Sequence, residues 1–218
     1  MHLNEIQRSY DTVISLGGSC QVAAQMARHS LRTFSGPLDW FIFSSVPCLS
    51  KALNGGFQGF MDYQNLEIIG PSETNYVLKD SVFNCYSYHD FPLSSNGDIS
   101  SYYPEFKEKI NRRVRRFYHK MEAKKSILLI RLYGECDEIR GLRTILSNLT
   151  KADVTLLVVN HSTEPGIKEI DWNLAKVCSV QIYNPPNLWS GCNQDWDVLL
   201  SGVKTMDNLE SDYNVFYG

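Results

Sequence analysis

A cysteine that follows two glycines, at the point where a strand-like run gives way to a helix-like one, is the residue best placed for chemistry. Thr12-Val-Ile-Ser-Leu16 is short and β-forming, Gly17-Gly18-Ser19 interrupts it, and Cys20-Gln-Val-Ala-Ala-Gln-Met-Ala-Arg28 favours a helix. The pattern predicts strand, tight turn and helix, with Ser19 as N-cap and Cys20 in the first helical turn. Unpaired N–H groups and the helix dipole favour negative charge there. A thiol so placed ionises more readily, and the thiolate is the reactive form. The backbone N–H groups of Gly17, Gly18 and Ser19 can serve as an oxyanion hole, and the glycines leave room for a ligand to approach closely.

A nucleophilic cysteine needs a base, and the chain has five histidines. His2 lies in a polar lead-in, His29 near the end of the first helix, and His119 on the charged face of a long helix. Two better candidates remain. His89 ends a strand-like run in Ser87-Tyr-His-Asp-Phe-Pro92, and His161 follows the apolar run that ends at Asn160. Strand ends are where a parallel sheet presents functional groups, so either can act as the base. Asp39, Asp90, Asn160 and Asp197 are the candidates to orient the ring. Asp90 is the weakest, because neighbours on a strand point to opposite faces. Asp39 can equally be a turn-forming residue.

These residues need elements to hold them. Residues 1–10 read as a loose lead-in, 11–16 as a strand and 20–30 as a helix. Residues 44–53 form a helix with Pro47 in its first turn, and 57–72 a short helix and loop. Residues 75–91 alternate like one or two strands turning near Lys79-Asp80. Tyr103 to Ala123 is the longest helix, with Phe106, Ile110, Val114, Phe117 and Met121 inward and Arg112, Arg113, Arg115 and Arg116 on a solvated face. Apolar strands at 126–132, 154–160 and 177–183 follow, with helices at 137–149 and from Asp195 to Val203. Continuous apolar strands separated by helices predict one α/β domain over residues 1–218: three layers around a mainly parallel sheet.

Composition narrows the class of function. A net charge of −3 argues against nucleic acid, and the 12% aromatic share argues against disorder. The four tryptophans are expected in the core or at a rim. Six cysteines without a CxxC pair or close Cys/His spacing argue against zinc, and no metal or cofactor is expected. The first ten residues are polar, and no apolar run approaches the roughly 18 residues of a membrane span. A cytoplasmic protein with reduced thiols and no membrane partner is therefore expected.

Ser15-Leu-Gly-Gly-Ser-Cys20, Leu31-Arg-Thr-Phe-Ser-Gly-Pro-Leu-Asp-Trp40 and Tyr88-His-Asp-Phe-Pro92 resemble a bacterial family labelled "putative papain-like cysteine peptidases". The likeness continues through Asn111-Arg-Arg, Leu128-Leu-Ile-Arg131 and Leu157-Val-Val-Asn160. Pro37-Leu-Asp-Trp40 stands where the family has Pro-Phe-Asp-Trp. The resemblance implies Cys20 as nucleophile, His89 as base and an acidic or amide third member. It also implies a papain-like α+β fold, a cysteine helix packed on an antiparallel sheet, as the alternative architecture.

The expected activity is a cysteine hydrolase (peptidase or amidase) or acyltransferase acting on a peptide, amide or acyl substrate. Cys20 attacks, His89 moves the proton, and Asp39 or Asn160 orients the ring. The competing expectation is an α/β domain binding a nucleotide or sugar phosphate at the Gly17–Cys20 helix start. The lack of a P-loop or full GxGxxG lowers that reading.

Overall fold

The computed structural model describes residues 1–207; the end of the expected 1–218 domain lies outside them. Its centre is a five-stranded sheet in which β2 (Thr12–Ser15), β7 (Ser126–Leu132), β8 (Asp153–Ser162) and β10 (Val177–Tyr183) run parallel in that order. A short strand, β9 (Ile167–Glu169), closes one edge antiparallel to β10. Both faces of the parallel strands are apolar because each is covered. On one face, Val13, Leu128, Ile130, Leu157 and Val180 pack against α2 (Cys20–Arg28) and α6 (Asn193–Leu200), whose Val22, Met26, Trp196 and Leu199 are buried. On the other, Ile14, Ile127, Leu129, Leu156 and Val158 meet α3 (Val46–Asn54), α4 (Tyr103–Ala123) and α5 (Cys136–Leu149). The three-layer α/β arrangement is thus present.

The chain between β2 and β7 adds a second, antiparallel sheet. Its order is β3 (Phe41–Phe43), β6 (Cys85–Pro92), β5 (Asn75–Asp80) and β4 (Leu66–Pro71). Phe41, Phe43, Leu78, Cys85 and Phe91 bury its inner side in the same core as α3 and α4. A parallel sheet carrying the cysteine helix and an antiparallel sheet carrying His89 therefore coexist.

Several local expectations change. The hairpin turns at residues 81–84, not at Lys79-Asp80. The Asp80 carboxylate accepts from the Val82 and Phe83 N–H groups at 2.9 and 3.0 Å, and Asn84 takes φ +47°. Residues 66–71, read as loop, form β4. It is an edge strand whose residues are mostly exposed, so no apolar alternation marks it. The lead-in contains α1 (Leu3–Ile6), which buries Leu3 and Ile6, and β1 (Ser9–Tyr10), which pairs with β11 (Lys204–Thr205). The last helix spans Asn193–Leu200 rather than running from Asp195 to Val203. On α4, Arg113 is not solvated: it lies on the inner stripe with Phe106, Ile110 and Phe117 and is buried.

Candidate active site

The Gly17-Gly18-Ser19 turn before Cys20 is built by close backbone packing. Gly17 and Gly18 have φ of +67° and +104°, a region that L side chains avoid. A Cβ on Gly17 would lie 2.6 Å from the Leu38 carbonyl oxygen, and one on Gly18 would lie 2.0 Å from that of Leu132. The glycines are therefore required by the chain itself; the room expected for a ligand is filled by protein. The Gly17 N–H donates to Ser15 Oγ at 3.0 Å, and its carbonyl accepts from Leu132 N–H at 2.9 Å. Ser19 caps the helix as expected, its Oγ accepting from Gln21 N–H at 3.1 Å. Among the described residues no acceptor pairs with the N–H groups of Gly18, which is buried, and Ser19, which lines the cleft with Cys20.

Cys20 is half-buried, and its Sγ lies 3.4 Å from His89 Nε2. The pair joins the two sheets, the thiol rising from the carboxyl edge of the parallel one and the imidazole from β6 of the antiparallel one. A bulge aims the ring. Leu78 pairs with Ser87 and Tyr76 with Phe91, so Val77 alone faces Tyr88, His89 and Asp90. In a regular strand His89 would share the inward face of Cys85, Ser87 and Phe91, all buried. The bulge turns it outward, a device common beside active sites. Trp40 meets the ring edge-on, with centroids 5.9 Å apart.

Electrostatics reverse one expectation. Burial pushes the Cys20 thiol up to about 11, with the carboxylates of Asp39 and Asp90 adding to the rise. The residue's own N–H works in the opposite direction. Withdrawal from water thus outweighs the helix start, and Cys20 rests as a thiol that needs a base to become a nucleophile.

The expected orienting groups are engaged elsewhere. Asp39 is buried in an ion pair with Arg32 (2.8 Å from Nη2) and accepts from Gly36 N–H at 2.9 Å. Asp90 takes the Ser87 hydroxyl and, at 2.6 Å, the Lys109 ammonium. Asn160 exchanges two hydrogen bonds with the Gly134 backbone, at 3.1 and 3.0 Å. Asp197 pairs with Arg28 and, at 3.1 Å, His29. Among the described residues none hydrogen-bonds the other nitrogen of His89. His161 is not placed as the base for Cys20 either. Its Nε2–H donates to Gln21 Oε1 at 2.8 Å and its Nδ1 accepts from the Tyr133 hydroxyl at 2.7 Å; burial lowers its pKa.

The Cys20–His89 pair opens on a cleft of about 470 Å³. Its walls come from the carboxyl ends of the parallel strands (Tyr133 after β7, His161 on β8, Asn184 after β10) and from Trp40 and Tyr88 opposite. Loop residues Leu188 and Trp189 form the rim, and Glu73 projects from the turn between β4 and β5. Sequence reasoning singled out neither Tyr133 nor Asn184. Both directly follow apolar strands, so the carboxyl-edge rule that selected Cys20 and His161 would have found them. Gln21, Tyr88 and Glu73 carried no such signal.

A thiol and an imidazole in contact, both lining one cleft, make a centre suited to cysteine-dependent acyl chemistry. The chain belongs to the family described as "Putative papain-like cysteine peptidase (DUF1796)", whose model matches residues 11–164. It is also similar to "Uncharacterized protein R408" of Acanthamoeba polyphaga mimivirus. The two are 30% identical over 221 residues, covering 88% of this chain and 98% of the viral protein. No solved structure gives a significant match. Among the described residues, no helix is long and apolar enough to cross a membrane.

Proposed function

We propose that the protein is a cysteine-dependent hydrolase or acyltransferase, with Cys20 as nucleophile and His89 as its base. The observation that carries this reading is the 3.4 Å contact between Cys20 Sγ and His89 Nε2 at the floor of the cleft. Family membership supports the cysteine hydrolase class, and the geometry supports the assignment of roles.

In the first half-reaction His89 Nε2 takes the thiol proton as Sγ attacks the carbonyl carbon of an amide or ester. The carbonyl π electrons move to oxygen, and the Ser19 N–H, at the cleft wall and without an acceptor among the described residues, is the donor available to stabilise that charge. Collapse breaks the bond to the leaving group, which receives the proton from His89, and a thioester on Cys20 remains. In the second half-reaction water or another acceptor gives its proton to His89 and attacks the thioester; the carbon–sulfur bond breaks, the acyl product leaves, and His89 returns the proton to Cys20 Sγ. Because burial holds the resting thiol up at about 11, this is a general-base mechanism. It does not start from a preformed thiolate.

The competing phosphate-binding reading is less well supported. Among the described residues no lysine or arginine lines the cleft, and the one acidic lining residue, Glu73, opposes an anion. Alkylation by iodoacetamide, followed by mass spectrometry at each cysteine, tests the proposal. Cys20 is expected to react at neutral pH faster than the half-buried Cys48, Cys136 and Cys192, and His89→Ala is expected to remove that advantage. Equal rates at all four, or an advantage that survives the loss of His89, would rule out the assigned dyad.

A further inference from the structure

The charge and surface of the cleft point to what it accepts, given the nucleophile proposed above. Among the described residues four aromatic side chains, Trp40, Tyr88, Tyr133 and Trp189, line it together with one carboxylate, Glu73. Tyr133 and Trp189 are 43% and 66% exposed, and neighbouring Leu188 is 42% exposed. The rim is thus a patch of large rings left open to solvent, unlike the scattered exposed apolar residues of an ordinary surface. Tyr133 sits at φ +67°, a strained position for a bulky residue that is characteristic of functional sites. Glu73 is exposed, and among the described residues it has no ion-pair or hydrogen-bond partner.

The polar wall also presents an acceptor. The Gln21 Oε1 contact fixes the proton of His161 on Nε2, so Nδ1 must accept and the Tyr133 hydroxyl must donate to it. The phenolic oxygen keeps its lone pairs for a donor arriving in the cleft. Aromatic faces attract cations through their quadrupole, and a carboxylate attracts them through its charge. A cleft furnished with both, and lined among the described residues by no lysine or arginine, favours a cation; Lys109 and Arg113 line the neighbouring cavity on the other side of Trp40 and His89, where Lys109 pairs with Asp90.

We infer that the substrate carries a positive charge close to its reactive carbonyl, as a primary ammonium, guanidinium or quaternary ammonium group held between Glu73 and the rings of Tyr88, Tyr133 and Trp189. This rests on Cys20 being the nucleophile, and the test separates the two ideas. Three chloroacetamides of matched size serve as probes: a 2-(trimethylammonio)ethyl amide, its neutral 3,3-dimethylbutyl isostere and a 2-carboxyethyl amide. The alkylation rate at Cys20 is divided by that at Cys136 in the same molecule, which removes intrinsic reactivity. The cationic probe is expected to exceed the neutral one by about tenfold. Glu73→Gln and Trp189→Ala are each expected to cut that ratio severalfold.

Fast labelling of Cys20 with no preference for the cation, or with a preference for the carboxylate, would overturn the inference and leave the nucleophile standing. Should Cys20 react no faster than Cys136, the nucleophile reading fails. The inference is then decided by tetramethylammonium binding to Cys20→Ser, read by tryptophan fluorescence. Saturable binding weakened by Glu73→Gln sustains a cation site, and no binding overturns it.

Discussion

Replacing Asp39 separates a structural carboxylate from a catalytic one. Asp39 and Arg32 have side chains 3% and 4% exposed and approach to 2.8 Å. The same carboxylate accepts from Gly36 N–H, and the Arg32 guanidinium lies 5.4 Å from the centroid of Trp40, the ring that flanks His89. Asp39→Asn keeps the shape and removes the charge, leaving a buried guanidinium without its carboxylate. Breaking such a pair from one side costs about 3–5 kcal/mol. In a chain of this size, about 2–4 °C of melting temperature is lost per kcal/mol, so a fall of about 6–20 °C is expected. The double variant Arg32→Gln/Asp39→Asn removes both charges and should melt above Asp39→Asn. Thermal denaturation followed by circular dichroism reads both. Alkylation of Cys20, measured well below every midpoint, is not expected to fall, because the Asp39 carboxylate is held by Arg32 and Gly36 rather than by His89 and its charge raises the Cys20 thiol. An unchanged melting temperature with Cys20 reactivity as low as in His89→Ala would refute the assignment and return Asp39 to the role of orienting group.

Three further outcomes are expected. In His89→Ala the rate of Cys20 alkylation should climb about tenfold per pH unit until about 11, where burial places the thiol. The native protein should lie above that line at neutral pH, and coincident profiles would show that His89 is not the base. Gly18→Ala combines φ +104° with a Cβ 2.0 Å from the Leu132 carbonyl oxygen, so urea denaturation should show a loss of more than about 2 kcal/mol. Gly56→Ala, at φ +62° with nothing within 4 Å, should lose only about 1 kcal/mol; equal losses would contradict the packing argument. Asp207 accepts from Lys120 and Lys124 at 2.7 and 3.0 Å, and these partners hold its pKa below the ordinary 3.8. Its contribution is therefore complete above pH 3.8 and disappears as pH falls through the lower folded value. Asp207→Asn should melt lower than the native protein at pH 7, with the gap closing in acid; a gap that is constant across pH would exclude this ion pair as the cause.

Sequence patterning carried the parallel half of the molecule. The runs at 126–132, 154–160 and 177–183 are apolar because both their faces are covered, a local composition that any reader of the chain can see. The Gly-Gly-Ser-Cys turn was legible for the same reason: positive φ needs glycine and a helix start needs a cap. The antiparallel sheet was read only in part. Leu66–Pro71 is an exposed edge strand without alternation, and the hairpin turn is set by the Asp80 side chain rather than by a glycine or proline signal.

What the sequence by itself determined is the local setting of the proposed nucleophile: Cys20, on a helix capped by Ser19, at the carboxyl end of a buried strand. It also narrowed the base to two histidines at strand ends. The family resemblance preferred His89, and where the two rings point was decided by tertiary structure, for a physical reason with no local signature. The bulge opposite Val77 turns His89 outward to the thiol, while Tyr133 and Gln21, distant from His161 in the chain, occupy both of its ring nitrogens. The direction of the Cys20 shift also comes from the tertiary structure. A helix start favours the thiolate, but the surrounding fold withdraws Cys20 from water, and desolvation is the larger effect.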